Sequence, residues 1–180
     1  MTGATQRARD AYRRICDLRE APLTRDVGLL VVRLALAWIF VWHGARTLFG
    51  SFGGPGIHQA SIFYGTVAHL HPATFFTVLS GGIELLGGIA VGLGVCGRLA
   101  GAGLAGDMAV AMATVTFGNG MASIAPGGGY ELNLALAALG CAVAALGTGR
   151  FSLDVLARPL WQKPGKGVDH EDRADRVAAP

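Results

Sequence analysis

The sequence predicts an all-α membrane protein: a polytopic bundle of four transmembrane helices with both termini in the cytoplasm. The first observation is the composition, because 52% of the 180 residues are hydrophobic and only 15% are charged, whereas an average soluble domain carries about 25% charged residues. The second is that four apolar stretches approach the roughly 20 residues that cross a hydrocarbon core. They cover residues 27–48, 73–95, 99–117 and 130–146.

The third observation is the distribution of arginine and lysine. Six arginines precede the first apolar stretch and six arginines or lysines follow the fourth, whereas the connections 49–72 and 118–129 contain neither residue. Positive charges are enriched in cytoplasmic segments, so both termini are predicted to lie inside. The first stretch follows a charged head and is too long for the apolar region of a cleaved signal sequence, which indicates a multi-pass protein of a bacterial plasma (inner) membrane. The net charge of +3 then reflects orientation and contact with the anionic lipid bilayer, not with nucleic acid.

Three segments are predicted along the chain. Residues 1–26 form a cytoplasmic amphipathic head, because apolar residues recur there at helical spacing between charged ones. Residues 27–157 form the four-helix membrane domain. Residues 158–180 form a polar cytoplasmic tail that we expect to be disordered.

Turn-forming residues separate the elements of the membrane domain. The first apolar stretch ends before SFGGPG, and apolar residues at helical spacing then predict a short helix on the outer membrane surface over residues 57–71. The second and third stretches are joined by the glycine-rich GVCGRLAG, which predicts a tight hairpin. The fourth follows APGGGYELN and ends at GTGRFSLD.

Three charged residues fall inside the apolar stretches away from their outer ends: Arg33, Glu84 and Asp107. Both acids share a helix face with small residues such as Gly88 and Gly103, so they should face the bundle and not the lipid. We predict that Arg33 pairs with Glu84, with Asp107 or with both. Such pairs either fix helix register alone or shape a binding cavity for a quinone headgroup, a lipid or a small polar ligand.

A second polar cluster is predicted near the outer face, where the first stretch ends and the fourth begins. The simplest arrangement is an ion pair between Arg46 and Glu131 with His43 alongside. The residues of this cluster are His43, Arg46, Tyr130, Glu131 and Asn133.

The sequence indicates no metal site and no intrinsic cofactor. Four of the five histidines lie on or near the outer side, but residues 49–82 contain no Asp, Glu or Cys that could complete a metal site. No phosphate-binding loop, dinucleotide-binding glycine pattern or nucleophile elbow is present. Whether the chain is itself an enzyme therefore stays open.

Three sequence segments carry a family resemblance. RLALAWIFVWHGARTLFGSFGGPG, LSGGIELLGGIAVGLGVCGRLAG and GGGYELNLALAALGCAVAALGTGRFSLD resemble the DoxX family of small four-helix bacterial membrane proteins, over about residues 27–157. Family members commonly carry Gln-Lys after the His-Gly pair, where this chain has Ala45 and Arg46.

The resemblance implies a four-helix bundle with both termini inside and a link to redox physiology. The related DoxD proteins are the membrane subunit of thiosulfate:quinone oxidoreductase, and some DoxX proteins are associated with superoxide dismutase and a sulfurtransferase in oxidative-stress complexes. We therefore expect an inner-membrane subunit of a redox-associated complex that anchors redox enzymes as protein partners, with quinone as a candidate ligand. The alternatives are a non-catalytic scaffold or chaperone-like protein and, less favoured, an oligomeric small-molecule transporter; a homo-oligomer is compatible with each.

Overall fold

The regular structure of this chain is helical throughout the part described by the computed structural model, which covers residues 22–124 and 127–156. Of the amphipathic head predicted over residues 1–26, residues 1–21 lie outside this part, as does the polar tail predicted from residue 158. The described elements are α1 (Pro22–Phe49), α2 (Gly56–Thr66), α3 (Ala73–Leu93), α4 (Gly97–Ala111), a π-helical turn (Met112–Thr116) and α5 (Glu131–Leu146).

Three helical segments are long and apolar enough to cross a membrane: Leu23–Phe49, Ala73–Leu93 and Gly97–Asn119. The last of these joins α4 to the π-helical turn and a short 3-10 turn. The predicted fourth crossing corresponds to α5, a shorter apolar helix of 16 residues. The structure thus confirms an all-helical chain with helices suited to a bilayer.

The helix boundaries follow from individual residues. Pro22 occupies the first position of α1, where its missing N–H would have no partner in any case. Gly94 ends α3 in the left-handed conformation at φ 73°, and Cys96 precedes α4 at φ 47°. This pair of left-handed residues turns the chain tightly between α3 and α4 and confirms the predicted hairpin.

Glycines set the distances between the helices. A Cβ atom added to Gly44 of α1 would lie 2.6 Å from the backbone nitrogen of Leu85, and one added to Gly88 of α3 would lie 3.0 Å from that of Val41. A Cβ on Gly101 of α4 would lie 2.8 Å from the carbonyl oxygen of Gly140 in α5. The bundle therefore consists of two close helix pairs, α1 with α3 and α4 with α5, each in backbone-level contact through small residues.

The interior and the exterior of the bundle are both apolar. Leu36, Phe40, Val91, Leu104 and Val143 are nearly or fully inaccessible and form the centre. Large apolar side chains also cover the outside, as Trp38 and Leu86 show. An exterior of this kind suits contact with lipid.

Arg33 is the most deeply buried charged residue described, with 1% of its surface exposed. Its Nε donates to the Val91 carbonyl at 2.8 Å and its Nη2 to the Gly92 carbonyl at 2.8 Å, both in the last turn of α3. Its Nη1 donates to the carbonyls of Thr148 at 2.7 Å and Phe151 at 2.6 Å, beyond the end of α5. One side chain of α1 therefore holds the ends of two other helical segments.

The predicted pairing of Arg33 with Glu84 or Asp107 is wrong, because the guanidinium donates its hydrogen bonds to these four backbone carbonyls instead. Carbonyls in the last turn of a helix lack intrahelical donors and carry the negative end of the helix dipole, so they attract a buried cation. The acid whose charge acts on Arg33 is Asp154, in the short helical turn 153–156. The Asp154 backbone N–H also donates to the Gly94 carbonyl at 3.1 Å, which closes this segment over the α3–α4 turn.

Replacing Gly44 with alanine should destabilise the protein by about 1–3 kcal/mol, because the new methyl group meets the backbone of α3 and the two helices must move apart. The measurement is the free energy of unfolding in mixed detergent micelles. The control is Gly82→Ala in α3, where an added Cβ has no atom within 4 Å and better helix propensity should leave stability unchanged or slightly raised. Equal effects of both substitutions would contradict the close α1–α3 contact.

Replacing Arg33 with glutamine should cost at least about 3 kcal/mol, because several buried carbonyls would lose a charged donor. Arg150→Gln is the matched control, since Arg150 is exposed and, among the described residues, its one hydrogen bond is from its backbone nitrogen to Asp26. The same unfolding experiment checks both variants. A cost for Arg33→Gln no larger than that of the control would show that the bundle does not depend on these bonds.

Candidate functional site

A cavity of about 480 Å³ lies between α2, α3 and α4 and reaches the first turn of α5. Its size falls within the range of about 300–1,000 Å³ that is usual for small-molecule sites. Most of its wall is apolar, formed among others by Phe63, Phe76, Leu79, Ile83 and Val110.

Polar groups converge at one part of this cavity. The Tyr64 hydroxyl of α2 donates to the Ser80 hydroxyl of α3 at 2.7 Å, and Ser80 lies beside the Asp107 carboxyl of α4. Asn133, from the first turn of α5, also lines the cavity. Three helices and the start of a fourth thus each contribute a hydrogen-bonding side chain, an arrangement typical of ligand sites.

Tyr64 stays protonated throughout the physiological range. Burial raises the pKa of its phenol to about 12; the hydrogen bond with Ser80 opposes this shift, and the charges of Glu84 and Asp107 add to it. The Tyr64 hydroxyl is therefore a permanent hydrogen-bond donor at the polar end of the cavity.

Glu84 lies behind the polar end and does not line the cavity. It follows Ser80 by one helical turn in α3, close enough to Asp107 for the two carboxyl charges to interact. The predicted orientation of both acids toward the bundle agrees with this placement. The two carboxyl groups belong to one cluster with Tyr64 and Ser80, and Arg33 does not line the cavity.

The π-helical turn widens α4 where it borders the cavity. Within this turn the Thr114 hydroxyl donates a hydrogen bond to the Val110 carbonyl at 2.8 Å. The Thr116 hydroxyl oxygen is buried and, within the described part of the chain, has no hydrogen-bond partner. Because π-helical turns are often found at functional sites and buried hydroxyls are normally paired, Thr116 is a group that a bound molecule could satisfy.

The predicted ion pair between Arg46 and Glu131 is wrong. The Arg46 guanidinium donates to the Phe52 carbonyl at 2.9 Å and lies over the Trp42 ring, 4.5 Å from its centroid. The exposed Glu131 carboxylate instead accepts from the backbone N–H of Ser123 at 2.9 Å. The physical reason is local: the turn after α1 brings a carbonyl back to Arg46, and the loop before α5 supplies an N–H to Glu131.

Two further members of the predicted outer cluster, His43 and Tyr130, also lie apart from the cavity. His43 packs its ring edge-to-face with Trp42 at 4.9 Å between centroids. Tyr130 stacks on Phe117 at 5.5 Å. Of the eight predicted site residues, the cavity is lined by two, Asp107 and Asn133.

Sequence reasoning missed Tyr64 and Ser80. Tyr64 belongs to a helix whose depth relative to the bundle cannot be read from its composition. Ser80 had a usable signal, because it precedes Glu84 by four residues and therefore shares its helix face. Among the described residues, no group of three or more His, Cys, Asp or Glu side chains is arranged to hold a metal ion.

Comparison with known proteins gives one match. The family model DoxX matches residues 28–117, which include most of α1, all of α2, α3 and α4, and every lining residue of the cavity except Asn133. No curated protein and no solved structure matches the chain. Because the match extends over half of the sequence, the chain belongs to the DoxX family.

Proposed function

We propose that this protein is an integral-membrane subunit that binds a small amphiphilic ligand of the quinone type in the cavity between α2, α3 and α4. The observation that carries the proposal is a cavity whose largely apolar wall includes Tyr64, Ser80, Asp107 and Asn133. A quinone has the matching chemistry, since its ring carbonyls accept hydrogen bonds and its isoprenoid tail is apolar.

The available donors explain how such a headgroup would be held. The Asn133 amide and the Thr116 hydroxyl can donate to a carbonyl oxygen. Asp107 donates when it is protonated and accepts when it is ionised, so it can bind either the quinone or the quinol form. Phe63 and Phe76 supply the apolar contact surface.

The same proposal places the protein in a redox-associated complex of the bacterial inner membrane. The cavity supplies binding groups, and electrons for the bound ligand would come from the cofactor of a partner protein. Four of the five described arginines, Arg25, Arg33, Arg98 and Arg150, belong to the end where α1 begins and α5 ends. This asymmetry supports a cytoplasmic position for that end.

A non-catalytic scaffold is the second candidate function. The observation that favours it is the Arg33 geometry, because the most buried charge of the bundle bonds backbone carbonyls and so serves helix packing. Measuring ligand binding at the Tyr64–Ser80–Asp107 cluster distinguishes the two functions, since a scaffold would not require a bound ligand.

Replacing Ser80 with alanine should weaken binding of a short-chain quinone about 3- to 10-fold, which corresponds to the loss of one hydrogen bond. Tyr64→Phe should act similarly, because it removes the hydroxyl that orders Ser80. The measurement is the dissociation constant of decylubiquinone for the purified protein in detergent, by titration calorimetry.

The matched control is Ser61→Ala. Ser61 lies in α2 like Tyr64, but it is outside the cavity and bonds the carbonyl of His58 at 2.8 Å in its own helix. Its replacement should leave the dissociation constant unchanged. Absence of quinone binding by the wild-type protein, or equal binding by all of these variants, would rule out the cavity as a quinone site and leave the scaffold function.

A further inference from the structure

A second cavity, of about 590 Å³, lies at the opposite end of the bundle and is basic. It opens where α1 begins, where α4 begins and where the chain leaves α5. Each of these segments contributes one exposed arginine to its lining: Arg25, Arg98 and Arg150. Three guanidinium groups from sequence-distant segments therefore surround one opening.

Among the described residues, two acids line this cavity, and each accepts a hydrogen bond from a backbone N–H group. Asp26 accepts a hydrogen bond from the backbone nitrogen of Arg150 at 3.2 Å, and Asp154 accepts one from the backbone nitrogen of Cys96 at 3.1 Å. These contacts fix the floor of the cavity and use carboxylate oxygens that could otherwise pair with the arginines. The opening keeps an excess of positive charge.

The floor of the cavity also contains the amino-terminal end of α4. Gly97 begins this 15-residue helix, and both Gly97 and Arg98 line the cavity. The first N–H groups of a helix lack intrahelical acceptors and carry the positive end of the helix dipole. They add to the attraction that the three arginines exert on an anion.

An apolar groove continues from this basic cavity along the outside of the bundle. The groove lies between α3 and α4 and shares Cys96 and Leu99 with the cavity. It extends along α3 from Ala90 back to Phe75, which is about 22 Å of helix. That length exceeds half of the roughly 30 Å hydrocarbon core, so the groove can accept an acyl chain of one leaflet.

Glycines keep the groove open. Gly82 has no atom within 4 Å of an added Cβ, and Gly87 and Gly103 also line the groove without side chains. Large apolar side chains, Leu86 among them, form its border. The groove is therefore a long apolar depression with a cationic opening at one end.

We propose that an anionic phospholipid binds here, with its phosphate in the cavity of Arg25, Arg98 and Arg150 and an acyl chain in the groove between α3 and α4. The continuity of the two features carries this inference, because a molecule that uses both needs an anionic headgroup and a long apolar chain, and anionic phospholipids of the bilayer have both. Basic pockets beside membrane-spanning helices are suited to anionic lipid headgroups.

Binding of dioleoyl phosphatidylglycerol and of dioleoyl phosphatidylcholine to the full-length protein in detergent tests the proposal, by native mass spectrometry and thermal unfolding. The wild-type protein should retain phosphatidylglycerol and be stabilised by it, and should prefer it to phosphatidylcholine. Arg98→Gln and Arg150→Gln should each weaken phosphatidylglycerol binding about fivefold. Arg46→Gln, which removes the same charge at the other end of the bundle, should leave lipid binding unchanged.

A second variant tests the groove without altering charge. Gly82→Leu fills the groove at a position with free space and should weaken phosphatidylglycerol binding while the protein stays folded. Inorganic phosphate, used alone as a further probe, should stabilise the protein far less than the lipid does. The proposal is overturned if phosphatidylcholine binds as well as phosphatidylglycerol, if the Arg98 and Arg150 variants bind like the wild type, or if free phosphate matches the lipid and Gly82→Leu has no effect.

Discussion

The hydrogen bonds from Arg33 to four backbone carbonyls are the interaction on which the arrangement of the bundle depends. They join the first half of α1 to the last turn of α3 and to the segment after α5. A buried guanidinium is costly unless its donors are satisfied, and here two carbonyls in the last turn of α3 and two in the segment after α5 satisfy it. The same bonds fix the segment that covers the α3–α4 turn, and so they also define one wall of the basic cavity.

The glycine contacts and the Arg33 contacts determine different parts of the helix packing. Glycines bring α1 against α3 and α4 against α5, whereas Arg33 fixes the end of the first pair relative to the end of the second. Space remains between α2, α3 and α4, and the apolar cavity lies there. The two candidate sites thus follow from one packing scheme: close contact within each pair of helices and looser contact between the pairs.

Sequence reasoning predicted the apolar helices, the small-residue faces and the inward orientation of Glu84 and Asp107, because these depend on periodicity and transfer energy alone. It failed on the partners of Arg33 and Arg46, since it considered only side chains of opposite sign. Backbone carbonyls at helix ends and turns also accept hydrogen bonds from a guanidinium, but no residue type in the sequence indicates where they lie. Tyr64 and Ser80 were missed because their proximity depends on how α2 packs against α3, which sequence spacing within one helix cannot show.

Solid-state NMR in lipid bilayers tests the central claim most directly. With nitrogen-15 in the arginine guanidinium groups and carbon-13 in selected carbonyl and carboxyl carbons, the dipolar couplings of Arg33 identify its neighbours. The account predicts strong couplings from Arg33 to the carbonyl carbons of Val91, Gly92, Thr148 and Phe151. Strong couplings to the carboxyl carbons of Glu84 or Asp107 instead would contradict it and restore the ion pair that the sequence suggested.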